Sequence, residues 1–148
     1  VGQQIVTAYR GDTPVYATMA STGRYGASRT EKGEFRIWVK VAAIAMDNTD
    51  EQEEMDTDSG STDTDTVTTE RRLYSLQDVP WTQFFYENYA MHAVYWHNGF
   101  GNRKSHGCVN LSPRDARWFY DWTLPEVPPG WWSIYTGSEQ KSTMVRVR

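Results

Sequence analysis

From Gln3 to Ile44, short apolar runs rich in Val, Ile and aromatic residues alternate with turn punctuation, which is the pattern of antiparallel strands and not of helices. It predicts strands over Gln4–Arg10, Pro14–Ala20 and Glu34–Ile44, with Gly11-Asp12-Thr13-Pro14 as a hairpin turn between the first two. Ser21–Gly33, with its glycines, serines and threonines, reads as a loop able to bring backbone close to a ligand. Strand-like runs return at Arg71–Leu76, Trp81–Glu87 and Tyr89–Trp96, followed by a polar, glycine-containing loop, His97–Ser105, and a short extended segment, His106–Leu111. Ser112-Pro113-Arg114-Asp115 then opens a helix: Ser caps, Pro stands at the first helical position, and Asp complements the dipole. The helix runs to about Trp122 with Ala116, Phe119, Tyr120 and Trp122 on its apolar side, and Pro125, Pro128 and Pro129 end it before a last strand, Trp131–Tyr135. The expectation is a mainly β domain with one helix, most of its seven tryptophans serving as packing.

The chain has 148 residues, one domain's worth, with a formal charge of −4. That average hides a segregation. Ten of the nineteen acids lie in Asp47–Glu70, which has no Lys or Arg, so the other nine face all fifteen bases and the rest of the chain stands at +6. Residues 47–70 have almost nothing to bury and read as a flexible acidic insertion. Within it, Asp56-Thr57-Asp58-Ser59-Gly60 spaces its carboxylates like a calcium loop, but the glycine arrives one place early and no Glu closes the loop. No apolar run approaches the ~20 residues that cross a bilayer, and no basic-then-apolar signal opens the chain. A single cysteine, Cys108, excludes an internal disulfide framework and any multi-cysteine zinc site.

That cysteine lies in Ser105-His106-Gly107-Cys108-Val109-Asn110. In an extended segment, residues two apart share a face, so His106 and Cys108 are expected side by side. An imidazole beside a thiol stabilises the thiolate that attacks a carbonyl, and the resulting imidazolium can protonate a leaving amine. Gly107, lacking Cβ, lets substrate approach and is expected to leave its own N–H and that of Cys108 free for a developing oxyanion. Two further histidines, His92 and His97, precede this segment, and strand parity puts them on opposite faces. Three histidines and a thiolate would also satisfy tetrahedral zinc, but parity divides the ligands and no nearby carboxylate orients them, which leaves the thiol as a nucleophile with no metal or other cofactor. The competing structural reading is a buried, inert thiol beside a packed histidine.

The pairing of His92 with Ser105-His106-Gly107-Cys108-Val109-Asn110 fourteen residues later resembles the signature of the L,D-transpeptidase (YkuD-type) catalytic domain. Gln3–Gly11 and Val15–Gly23 resemble that family's opening hairpin and glycine loop. Arg29–Phe35 resembles its Thr-Pro-x-Gly-x-Phe element, Asp78-Val79-Pro80-Trp81 its pre-catalytic strand, and Asp115-Ala116 its post-catalytic helix. Glu31 stands where the family often has proline, and Ala93 where glycine is common. The resemblance implies a β-sandwich of mixed sheets around a cleft, one catalytic domain over residues 1–148, and action on peptidoglycan outside the cytoplasm, in the bacterial cell envelope. It implies that Cys108 forms a thioester with the third residue of a tetrapeptide stem, releases D-alanine, and passes the acyl group to an amine as a 3→3 crosslink. Water as acceptor would make a carboxypeptidase instead, and loss of the chemistry would leave a wall-binding module. His106 is the implied base that activates Cys108 and then protonates the leaving D-alanine, and His92 is the implied cleft residue that orients the substrate or the imidazole. Ser105 and Asn110 would fix the loop, and Tyr74 and Trp96 would line the cleft. The implied partners are stem peptides and acylating carbapenems, with no nucleic acid, no membrane segment in this chain and no cofactor.

Overall fold

The structure, a computed structural model, describes residues 1–47, 75–137 and 141–148. Tyr74, the calcium-like run and all of the acidic insertion except Asp47 lie outside the described residues. Strands β1 (Ile5–Arg10) and β2 (Thr13–Met19) form the expected antiparallel hairpin, turning at Gly11, whose φ of 61° suits a residue without Cβ. The run expected as one strand from Glu34 to Ile44 is divided. β3 (Gly33–Arg36) pairs with a C-terminal strand, β9 (Met144–Val147), while β4 (Val39–Asp47) joins the central sheet. Ile37, fully buried, makes the crossing: its N–H donates to the Thr143 carbonyl, and the next N–H, of Trp38, donates to the Phe84 carbonyl of the central sheet.

The central sheet has five strands in the order β7-β6-β5-β4-β8, where β5 is Ser75–Tyr86, β6 Tyr89–Ala93, β7 Val109–Leu111 and β8 Ser133–Tyr135. All its pairings are antiparallel except β6 with β7. β5 joins Ser75-Leu76, the described end of the Arg71–Leu76 run, to the Trp81–Glu87 run, which the sequence pattern separates from it. It stays one strand by bending, with Asp78 and Trp81 in left-handed backbone (φ 51° and 54°) on either side of Val79-Pro80.

Helix α1 (Pro113–Trp122) begins as expected, with Ser112 Oγ accepting the Asp115 N–H at 3.2 Å. It buries Ala116, Phe119 and Tyr120, and the first two join Ala8, Ala20, Phe85, Met91, Ala93, Val109 and Leu111 in one apolar cluster between hairpin, helix and sheet. Two charges seat the helix. Asp115 accepts from Tyr16 Oη, Thr18 Oγ1 and Ser112 Oγ, each at 2.7 Å. Lys40, 1% exposed in β4, donates Nζ to the carbonyls of Tyr120, Thr123 and Pro125 at 2.6, 2.9 and 2.8 Å, satisfying acceptors at the helix C-terminus that would otherwise be orphaned.

The tryptophans depart from expectation. Trp38, Trp96, Trp131 and Trp132 are exposed, and Trp81, Trp118 and Trp122 are only half-buried, so none is a core residue. Trp81, Trp118 and Trp122 pack against the margin of the apolar cluster, as in the Tyr16–Trp118–Trp122 stack.

Candidate active site

Parallel pairing of β6 with β7 sets Met91 opposite Val109 and His92 opposite Asn110. Paired residues of neighbouring strands project to the same face, so His92 and Asn110 share one, and Cys108, two residues before Asn110, stands at the mouth of that face. The sulfur is placed by the start of β6. It lies 3.9 Å from the Asn88 carbonyl and is hydrogen-bonded to the Ala90 backbone, Ala90 being two residues before His92 on the same strand. Cys108 is partly exposed.

His92 is 3% exposed, and its Nδ1 sits 2.8 Å from the Ala93 carbonyl. A carbonyl only accepts, so Nδ1 bears the proton and Nε2 keeps its lone pair. Burial lowers the pKa of the ring to about 4, against the Ala93 bond and with the help of His97, so the imidazole is neutral across the physiological range. The Cys108 thiol is pushed up by burial, against the Ala90 bond. The resting pair is therefore neutral thiol and neutral imidazole. The thiolate expected from the sequence is not the resting form; it arises only as the proton moves.

The loop before the cysteine is built around a glycine that nothing can replace. Gly107 has φ +137°, and a Cβ there would stand 2.5 Å from the Tyr89 ring. This bend ends the extended segment, so β7 begins at Val109 and the alternation expected to align His106 with Cys108 does not run through Gly107; His106 is exposed. Ser105, buried, holds the bend with one hydroxyl, which donates to the Cys108 carbonyl at 2.5 Å and accepts the Gly107 N–H at 3.1 Å. The Gly107 N–H expected to be free for an oxyanion is thus engaged. Thr30 fixes the bend from outside, its hydroxyl donating to the Gly107 carbonyl at 2.7 Å and accepting the Gly23 N–H at 2.9 Å. The Ser21–Gly33 loop brings its backbone close to the Ser105–Asn110 segment: Ser21 bridges to Asn110 and Gly23 to Ser105. At Gly23 a Cβ would meet the Ser28 carbonyl at 2.1 Å.

His97 also reaches this region, contrary to the parity argument, because β6 ends at Ala93 and alternation stops there. Its Nδ1 accepts the Gly99 N–H at 3.2 Å, so its neutral ring bears the proton on Nε2, 3.3 Å from the Asn110 side-chain amide. The other amide atom of Asn110 is buried without a partner, and turning the amide over gives Nε2–H its acceptor. The Trp96 ring, 38% exposed, lies 6.2 Å from that of His92 and walls this face. The sequence reading missed Thr30, Tyr89 and His97. Thr30 lay within the family-like Arg29–Phe35 element and was the one with a legible signal. Among the described residues no three His, Cys, Asp or Glu side chains are grouped to hold a metal, and no helix is long and apolar enough to cross a membrane.

Comparison with known proteins finds similar sequences and similar folds. Over 47 residues, 30% of the chain, the sequence is 45% identical to L,D-transpeptidase 2 of Mycobacterium tuberculosis, covering 12% of that protein. The fold is similar to an L,D-transpeptidase from Mycobacterium smegmatis, with a TM-score of 0.63 at 24% identity over 81% of this chain and 50% of the other. It is also similar to L,D-transpeptidase 3 from Mycobacterium tuberculosis in complex with a faropenem-derived adduct, with a TM-score of 0.55 at 22% identity over 78% of this chain and 43% of the other. The chain thus spans half or less of these relatives' lengths. The family model for the L,D-transpeptidase catalytic domain, YkuD, matches residues 1–146, and the chain belongs to that family.

Proposed function

We propose that the chain is the catalytic domain of a cysteine-dependent peptidoglycan L,D-transpeptidase that acts outside the cytoplasm. The observation that supports it most is the β6–β7 register, which sets a buried, neutral imidazole with a free Nε2 on the face that Cys108 enters. Cys108 Sγ attacks the carbonyl between the third residue of a tetrapeptide stem and its terminal D-alanine while its proton passes to His92 Nε2. The Cys108 N–H is the backbone donor for the tetrahedral oxyanion, since that of Gly107 is held by Ser105. Collapse breaks the C–N bond, D-alanine leaves with the proton from His92, and the thioester is opened by a side-chain amine of a second stem to give a 3→3 crosslink. Of the two candidate bases, His92 is favoured over His106 because its tautomer is fixed and its strand position is shared with the sulfur's anchor. Ser105, Thr30 and Asn110 hold the loop, and Trp96 walls the substrate face. The relative bearing a faropenem-derived adduct supports acylation of Cys108 by β-lactams of the penem and carbapenem class.

The test is incubation with disaccharide-tetrapeptide and product analysis by mass spectrometry. D-Alanine released from tetrapeptide but not pentapeptide, with a crosslinked dimer, is the expected result. D-Alanine with free tripeptide alone assigns water as the acceptor, and no release together with no carbapenem adduct on Cys108 removes the enzymatic reading.

A further inference from the structure

A cleft of about 240 Å³ is lined by Tyr25, Gly26, Arg29, Lys32 and Arg103, with Val1 and Thr30 among its walls. Its charge is one-sided. Arg29 faces Glu31 at 3.7 Å, but neither Lys32 nor Arg103 has a carboxylate partner among the described residues. Arg103 is held rather than loose: Nη1 donates to the Gly23 carbonyl at 2.9 Å, and the guanidinium lies over the Tyr25 ring, 4.7 Å from its centroid, with N–H groups to spare. A preset guanidinium beside an ammonium is a receptor for a carboxylate, and the volume admits the end of a peptide rather than a sugar chain.

The cleft also adjoins the reacting loop. Thr30, part of its wall, hydrogen-bonds the carbonyl of Gly107, the residue before Cys108. A carboxylate seated there is within a few residues' reach of the sulfur along an extended peptide. We propose that this cleft, formed by Lys32, Arg103 and Tyr25, is a subsite for a free carboxylate of a peptidoglycan stem peptide, an assignment that rests on the proposed function. It acts on binding and leaves the chemical step to Cys108 and His92.

The experiment is a titration of the Cys108→Ala chain, followed by NMR, with three probes: disaccharide-tetrapeptide, the same compound with its carboxyls amidated, and inorganic phosphate. The expected result is a shift of the Tyr25 and Lys32 resonances on tetrapeptide binding, about tenfold weaker binding of the amidated compound, and the same loss for unmodified tetrapeptide in Lys32→Gln. Lys32 is exposed and makes no structural bond, so this variant keeps the fold; Arg103→Gln is the second, checked for folding by its NMR spectrum. Binding unaffected by amidation or by Lys32→Gln overturns the proposal, and so does phosphate binding as tightly as tetrapeptide, which would mark a general anion site. Carbapenem acylation of the wild-type chain is followed separately, so failure of the enzymatic reading shows as a missing adduct on Cys108 and failure of the subsite shows in the titration.

Discussion

The surroundings of α1 and those of Cys108 treat their ionisable groups in opposite ways. Around α1, each buried charge is met by three partners, Asp115 by three hydroxyls and Lys40 by three carbonyls. Around Cys108, the groups are stripped of water and left short of partners. His92 has one ring nitrogen engaged, and burial, helped at His92 by His97, drives both its pKa and that of the thiol toward the neutral form. A saturated charge cannot change state without loss of a bond, whereas a dehydrated, half-engaged one is held ready to exchange a proton. The first arrangement suits anchoring and the second suits reaction.

Replacement of reacting groups breaks this contrast most sharply. Cys108→Ala is expected to abolish both the carbapenem adduct and D-alanine release while leaving the melting temperature within a few degrees of wild type, since no strong bond is lost. His92→Ala is expected to slow acylation by roughly 10²–10⁴-fold, the range of a positioned general base, with His106→Ala costing less. The pH profile sharpens the assignment. Because the pKa of His92 lies at about 4, acylation by folded protein should hold its rate from neutral pH down toward that value. An inflection near the ordinary histidine pKa of ~6.5 would place the proton on a different imidazole. The same depression affects stability: below ~6.5 the unfolded chain takes up a proton that the folded one refuses, so stability falls as pH drops toward about 4.

The parts legible in the sequence were those set by local chemistry. The hairpin at Gly11, the Ser112 cap and the apolar face Ala116, Phe119 and Tyr120 follow from turn, capping and periodicity rules. The Ser105–Asn110 motif also drew attention to the loop on which the proposed function rests. What failed was alternation carried past its limits. It was extended past Ala93, where β6 stops, which put His97 on the wrong side, and through Gly107, where a positive φ bends the chain and removes strand alternation as an argument for pairing His106 with the sulfur. β9 was missed because four residues of MVRV give little signal until β3 offers an edge. Lys40 was illegible for a similar reason. Its strand reads as apolar, and only the return of α1 across the sheet supplies the carbonyls that make a buried ammonium tolerable.

Lys40→Met tests the anchoring half. Methionine fills much of the volume but donates nothing, so three carbonyls at the end of α1 lose their donor and stability should fall by about 3 kcal/mol in urea denaturation. Carbapenem acylation below the unfolding transition should be unaltered. Burial lowers the ammonium pKa to about 8, against the pull of Asp121 and Glu126, so between about 8 and the unfolded value of ~10.4 the unfolded chain holds the extra proton. Wild-type stability should therefore rise with pH in that window, and the rise should be missing in Lys40→Met.

The smallest effect is expected at the other anchor. Burial alone would raise the Asp115 pKa, but the bonds from Tyr16, Thr18 and Ser112, together with Arg114, hold it below the ordinary carboxylate value. A folded-state pKa below the unfolded one means that the carboxylate's contribution is complete above the unfolded pKa and is lost as pH falls through the folded one. Asp115→Asn keeps the shape and the helix start but cannot accept three hydroxyl donors on two oxygens, so it should cost about 1–2 kcal/mol at neutral pH. Wild type and variant should converge in acid, where Asp115 is protonated. A difference that persists unchanged below that range would show that the helix is held by its apolar face alone, and that the three hydroxyls near Asp115 add shape rather than stability.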